Sequence, residues 1–382
     1  MSFLRDTPVI AFLLAKVRDI DIVVVLATLF VVMGAYLVLF VTAAGSPLAR
    51  AVLFKTGLFT KAIAHMALSR EKQGWPTRVD PVVAQDGGAE TPLATVVSTK
   101  RVIFVRHGES TWNEIFNRGF GVRFPVRLFE GVLAELLLLF TKLSFFIDSP
   151  LSEHGFEQAR DLRRFLARYD GDADSADCSD KSQVSRNDPL VSARRVKDAE
   201  ALSGVKGTSI IVASNLRRAC QTTAIAFWDR LARTGEKIYV LSSLQEIARN
   251  VDTRALAGAR ESPPLHGLES KVENVGATPM GKMVVGDSGS VVGLNTHFNT
   301  GNKQIGRKGY AALREFAEFA CAQDADFVIA GGHSLWFREF FRMFLDDEHL
   351  KTQVACRKKI VNCGVVAFTL TKVKVRPALT KS

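Results

Sequence analysis

Four consecutive β-prone apolar residues, Val102, Ile103, Phe104 and Val105, run straight into Arg106, His107 and Gly108. No other stretch of the chain limits the possible folds so strongly. An apolar run of this length, bounded by polar residues and a glycine, reads as a buried strand that ends in a loop. Polar side chains at the carboxyl end of such a strand sit where open α/β sheets bind their ligands. The residue types suit an anion. Arginine forks onto phosphate oxygens. Histidine is a nucleophile near neutral pH without a metal. Glycine lets the backbone approach a bound group closely.

The layout recurs. Ser209–Ala213 reads as a second buried strand, leading into S-N-L-R-R-A-C-Q-T-T, Ser214 to Thr223, and a helix through Leu231. Lys237–Leu241 reads as a third strand, followed by L-Q-E-I-A-R-N-V-D-T, Leu244 to Thr253. Asp326–Ala330 is the fourth and ends in G-G-H-S, so His333 repeats the opening order of strand, Gly and His. Ile360–Leu370 reads as a closing strand. Helical spacing appears over Pro150–Tyr169, with Ser152 as its cap, over Ile305–Cys321 and over Phe337–Phe344. Loops that each follow a strand of one parallel sheet converge at one sheet end.

The stretch R-H-G-E-S-T-W-N, 106–113, resembles the signature of the histidine phosphatase superfamily, also called phosphoglycerate-mutase-like. The segment P-L-S-E-H-G-F-E-Q-A-R from Pro150 continues that resemblance. Ser214 to Thr223 is similar to the family's second motif, commonly S-x-L-x-R-A-x-Q-T. On that motif Arg218 takes the phosphate-binding position and Arg217 a variable one. The resemblance spans about 100–370 and implies an α/β fold, three-layer α/β/α with a mostly parallel central sheet. It implies His107 as nucleophile, His333 as the second catalytic histidine, and Glu246 as proton donor. Arg106, Arg218 and His333 would hold the phosphoryl oxygens, and Asn113 would add a hydrogen bond. Arg249, Asn250 and Arg254 stand where a substrate entrance is expected. The implied reaction is phosphomonoester hydrolysis through a phosphohistidine, with no cofactor and no metal-ligand cluster. A phosphoglycerate-mutase-type phosphotransferase is the alternative, as is a non-catalytic phosphate-binding scaffold. The mutases carry E-R-H-Y-G after the acid, whereas Glu246 is followed by I-A-R-N.

Ile22 to Ala44 contains no charged residue. As a helix it would be ~34 Å long, enough to cross a hydrocarbon core of about 30 Å. Lys and Arg are in excess after it (Arg50, Lys55, Lys61, Arg70, Lys72), which places the carboxyl-terminal side in the cytosol. Pro8 to Ala15 is too short to span. Leu48 to Leu68 reads as a helix on the lipid surface or a plain linker. The expected layout is therefore a cap at 1–21, a single transmembrane helix at 22–44, a basic juxtamembrane linker at 45–99, and the phosphatase domain at 100–382.

Three inserts are expected in that domain. The first, 114–149, contains Val126 to Ile147. As a helix, that segment would gather Arg127, Glu130, Glu135 and Lys142 in an arc of roughly 140°. Its wide apolar remainder reads as a lid, a membrane contact or core. The second, 170–208, is Ser-, Asp- and Lys-rich and reads as a solvated loop. The third, 261–304, reads as a specificity loop or a floppy insert. The formal net charge of +11 is spread along the chain. It fits an anionic membrane surface or a phosphorylated protein, lipid or small molecule better than a nucleic acid. Five cysteines without a C-x-x-C argue against a disulfide framework.

Overall fold

The computed structural model describes residues 22–43, 45–75, 94–167, 189–265, 293–345 and 347–375. The expectations for Pro8 to Ala15, for residues 80–93, for most of the second insert and for 266–292 of the third lie outside them. The chain divides into two compact units, Met1–Thr60 with Leu139–Thr141, and Lys61–Leu138 with Lys142–Ser382.

In the first unit, helix α1 is Ile22–Thr42, without a charge in its 21 residues. Phe30 and Val41 on it are about 70% exposed. Among the described residues one helix, α2, Pro47–Leu68, is long and apolar enough to cross a membrane. Its last eight residues belong to the second unit, where Ala62 and His65 are fully buried.

The second unit is built on a six-stranded sheet in the order β4-β3-β2-β5-β1-β6. The strands are β1 Ala94–Arg106, β2 Ser209–Ser214, β3 Ile238–Leu241, β4 Leu294–Asn295, β5 Phe327–Gly332 and β6 Val365–Val375. Every neighbouring pair is parallel except β1–β6, which is antiparallel. β1 is longer than its apolar core suggests. Ala94 to Ser98, expected in a tether, pair with the end of β6.

Side chains alternate across the sheet and fill two cores. Ile103, Val105, Ile211, Ala213, Val240 and Ile329 face one helical layer. That layer holds α5 Glu153–Ala167, α6 Pro189–Ser203, α7 Arg217–Ala226 and α8 Trp228–Thr234. Val102, Phe104, Val212, Val328 and Ala330 face the other, made by α9 Gly309–Ala322 and α10 Ser334–Phe344. Two short helices, α11 Asp347–Thr352 and α12 Val354–Arg357, lead into β6. Phe104 lies against Trp336 and Phe337, with ring centroids 5.9 and 4.6 Å away. Each such fully buried side chain contributes about 1.5–3 kcal/mol.

Three expectations are corrected. Between β1 and α5 lie α3, Thr111–Phe116, and α4, Phe124–Leu137, so the expected helix over 126–147 starts earlier and stops ten residues sooner. The Glu135 carboxylate stops it by accepting hydrogen bonds from Phe145 N (2.6 Å), Phe146 N (3.3 Å) and Ser144 Oγ (2.8 Å). Within the second insert, Pro189–Ser203 is the helix α6 rather than a loop. Its periodicity is weak, but Ala201 and Leu202 are buried against the sheet, and Asp198 takes a bidentate bond from Arg101 at 2.6 and 2.9 Å. The helix after β2 breaks at Phe227 instead of running on to Leu231.

Candidate active site

The strand that ends at Arg106 hands the chain to a loop clamped from three sides. His107 N donates to Gly332 O of β5 at 3.0 Å. Gly108 N donates to Thr222 Oγ1 of α7 at 3.0 Å. Ser152 N donates to Glu109 O at 2.9 Å, while Ser152 Oγ caps α5 by accepting from Gly155 N at 3.1 Å. A Cβ on Gly108 would stand 2.6 Å from Gly155 O, and one on Gly155 would overlap Glu109 O. The two glycines therefore let the start of α5 press against the loop backbone and fix His107.

At this end of the sheet a cavity of about 70 Å³ is lined by Arg106, His107, Asn113, Arg218, Glu246 and Asp252, with Trp112, Asn117, Asn250, Ser334 and Lys359 among its other walls. His333 is fully buried, and its ring centroid lies 5.0 Å from that of His107. Of the residues expected at the entrance, Asn250 is a cavity wall, whereas Arg249 and Arg254 are not. Arg249 lies instead beside the buried His65, and Arg254 donates to Lys303 O at 3.4 Å. The loop carries Ala248 and Asn250 into the wall, so the position between them faces elsewhere.

The protonation state of His107 follows from its contacts. Its Nδ1 lies 2.5 Å from Gly108 O. A carbonyl only accepts, so Nδ1 carries the proton and Nε2 keeps its lone pair. Burial, reinforced by the Arg218 and Arg106 guanidiniums, holds its pKa well below the ordinary histidine value. His333 is held down in the same way, by burial first and then by Arg218. Its Nε2 is 2.9 Å from Ser214 Oγ, at the end of β2. Arg218 donates from one terminal nitrogen to Asp252 O at 2.8 Å, and its other lies 3.3 Å from Asp252 Oδ2. Arg106 donates to Ile360 O. Three buried nitrogens, Arg106 Nε, Arg218 Nε and His333 Nδ1, have no protein partner. A tetrahedral oxyanion is the kind of ligand that satisfies such a set.

Glu246 Oε1 accepts from Trp336 N of α10 at 2.8 Å and from Ile247 N at 3.2 Å. Asn113 Oδ1 accepts from Asn117 Nδ2 at 2.7 Å, which leaves the Asn113 amide group to donate.

Several residues of the site escaped the sequence reading. Asp252 stands in the quoted segment after Glu246 but drew no role there. Burial raises its carboxyl to about 6, against the opposing pull of Arg218. A carboxylate six residues beyond the proposed acid was the available signal. Ser214 opens the second motif but drew no role, and Lys303 offered no signal. The end of the third insert is not a floppy loop. Asn299 Oδ1 and Gly301 O both accept from Asn215 Nδ2, at 3.3 and 3.0 Å. Arg217, read as a variable position, is buried and donates to Asp148 O at 2.6 Å and to Ser144 O, holding the end of the first insert.

No family model matches the chain, and no curated protein does. Solved structures do match. A putative alpha-ribazole-5'-P phosphatase from Escherichia coli is 12% identical, with 72% of this chain and 95% of that one covered at a TM-score of 0.31. A mycobacterial glucosyl-3-phosphoglycerate phosphatase is 17% identical, with 73% and 99% covered at 0.30. An ecdysone phosphate phosphatase from Bombix mori, solved with tungstate, is 16% identical, with 74% and 96% covered at 0.31. Likeness this distant leaves the chemistry to the site's own geometry.

Proposed function

We propose that the chain is a membrane-tethered phosphatase that hydrolyses phosphomonoesters through a phosphohistidine. One observation carries this reading. A buried, neutral imidazole with a free Nε2 shares a small cavity with two guanidiniums and two carboxyl groups, one of them that of Glu246. Nε2 attacks phosphorus, and the P–O bond to the leaving group breaks. Arg106, Arg218, His333 and the Asn113 amide spread the charge of the transferring phosphoryl group. Glu246 gives its proton to the leaving oxygen. It then takes one from the water that cleaves the P–N bond, which frees phosphate and restores His107. Removing one positioned donor of this kind raises the barrier by about 3–4 kcal/mol.

The uncharged α1 supports the tether. At 21 residues it is ~32 Å long, a bilayer's hydrocarbon thickness. The excess of Lys and Arg after it supports a catalytic unit on the cytosolic side. The outer face of α4 supports a second contact with lipid. Phe129, Leu136 and Leu137 are each at least 60% exposed.

The test is phosphate release from p-nitrophenyl phosphate by the wild type and by His107→Ala. The wild type is expected to turn over and to trap an acid-labile, alkali-stable phosphoenzyme, and the variant to do neither. Equal background in both would leave a scaffold. Isomerisation of a phosphorylated substrate without free phosphate would mark a mutase.

A further inference from the structure

Behind the carboxyl group of Glu246, away from the cavity walls, lies a buried ammonium. Lys303 is 6% exposed and Glu71 4%. The Lys303 Nζ uses all three of its hydrogens: on Glu71 Oε2 at 2.9 Å, Glu246 O at 2.6 Å and Ala248 O at 2.8 Å. Two of the three hold the backbone on either side of Ile247. The third is balanced by a carboxylate that arrives from more than two hundred residues earlier, three positions past α2. Glu71 is itself fixed in place. Its carbonyl accepts from Gly309 N at 2.9 Å, and Arg70 N donates to Ile305 O at 3.2 Å. A Cβ on Gly309 would meet both Ile247 and Glu71 O.

Taking an ammonium and a carboxylate out of water costs several kcal/mol per ion, and apolar residues would fill the same space more cheaply. A pair kept at that cost, on the peptide of the proposed acid, points to a task beyond packing. We propose, building on the phosphatase reading, that Glu71 and Lys303 are positioning residues for Glu246. Lys303 holds the Glu246–Ala248 backbone so that the carboxyl reaches the leaving oxygen. It also sets the charge beside the proton to be transferred, and Glu71 offsets that charge.

The charged groups around Glu246 come from every element packed on it. They are Arg106 from the end of β1, Asp252 from the turn Val251–Thr253, Lys303 from the segment before α9, and Glu71 from the segment after α2. The N–H of Trp336 adds the positive end of α10. Lys303→Met removes a positive neighbour, which makes a nearby carboxyl hold its proton more firmly. Glu71→Gln removes a negative one and has the opposite effect, while its amide oxygen still accepts from Nζ.

The experiment uses the full-length chain and p-nitrophenyl phosphate across pH 5 to 9. It compares wild type, Lys303→Met, Glu71→Gln and His107→Ala. The expected result is a kcat lower by roughly tenfold or more in Lys303→Met, within the 10²–10⁴ that a general acid supplies. KM should stay within about twofold, because Lys303 is not a wall of the cavity. The alkaline edge of the kcat profile should move up in Lys303→Met and down in Glu71→Gln. Edges that stay at the wild-type pH in both variants would overturn the proposal and leave the phosphatase reading intact. So would losses of kcat that only track the folded fraction measured by circular dichroism. A wild type no more active than His107→Ala would overturn both.

Discussion

At the scale of single residues the site is governed by burial. His107 and His333 face each other in the protein interior beside two guanidiniums, and both are held neutral. The folded pKa of His107 lies below the unfolded one, so the imidazole stays unprotonated as pH falls through 6.5. Once corrected for ionisation of the substrate, kcat/KM should therefore show no acid limb at the ordinary histidine value. A limb near 6.5 in a profile from pH 5 to 8 would contradict the assignment of His107 as a buried nucleophile. The adjacent arginines show what sequence conveys at this scale and what it does not. The place of Arg218 in the cavity wall was legible because it stands at the motif's phosphate position. The role of Arg217 was not, because its partners, the Ser144 and Asp148 carbonyls, lie some seventy residues earlier. Arg249 misled because it stands one residue after Ala248 and one before Asn250, and loop backbone turns successive side chains in different directions.

At the scale of elements the strands were readable, since a buried parallel strand is a short apolar run with polar ends. β1, β2, β3 and β5 lie where those runs occur. α6 was not readable, because five of its fifteen residues are charged and, among its described side chains, the buried ones are Ala199, Ala201, Leu202 and Ser203. α4 was half readable. Its apolar face is evident from the sequence, whereas its end is set by Glu135 bonding forward to Phe145 and Phe146, a contact that no periodicity encodes. Helices with large unpartnered apolar faces partition into lipid interfaces in proportion to the apolar area they bury. Phe129→Asp with Leu137→Asp, in a chain begun at residue 61, should reduce co-sedimentation with phosphatidylserine-containing vesicles several-fold. It should leave phosphate release in solution unchanged. Undiminished sedimentation would remove α4 from the lipid contact.

At the scale of the molecule the boundary of the α/β unit differs from the one drawn on the sequence. The expected start near residue 100 leaves Glu71 outside, yet Lys61 to Trp75 belong to the α/β unit. Trp75 packs edge-on against Tyr310 with centroids 6.3 Å apart. A chain begun at residue 94 would keep Lys303 buried without its carboxylate, a loss of about 3–5 kcal/mol for a broken buried pair. Its melting temperature should fall clearly below that of a chain begun at residue 61. Equal melting curves would show that the Glu71 segment is dispensable to the fold.

The order of strands carries one more consequence. β1 is flanked by β5 and β6, its hydrogen-bonding partners from residues 327–332 and 365–375. On a ribosome, Val102 to Val105 emerge more than two hundred residues before either neighbour exists. Pairings so distant along a chain form slowly and leave sticky intermediates open to aggregation. The strand that leads into His107 is among the first to be synthesised and among the last to be housed, so this chain should depend on chaperones more than its size alone implies.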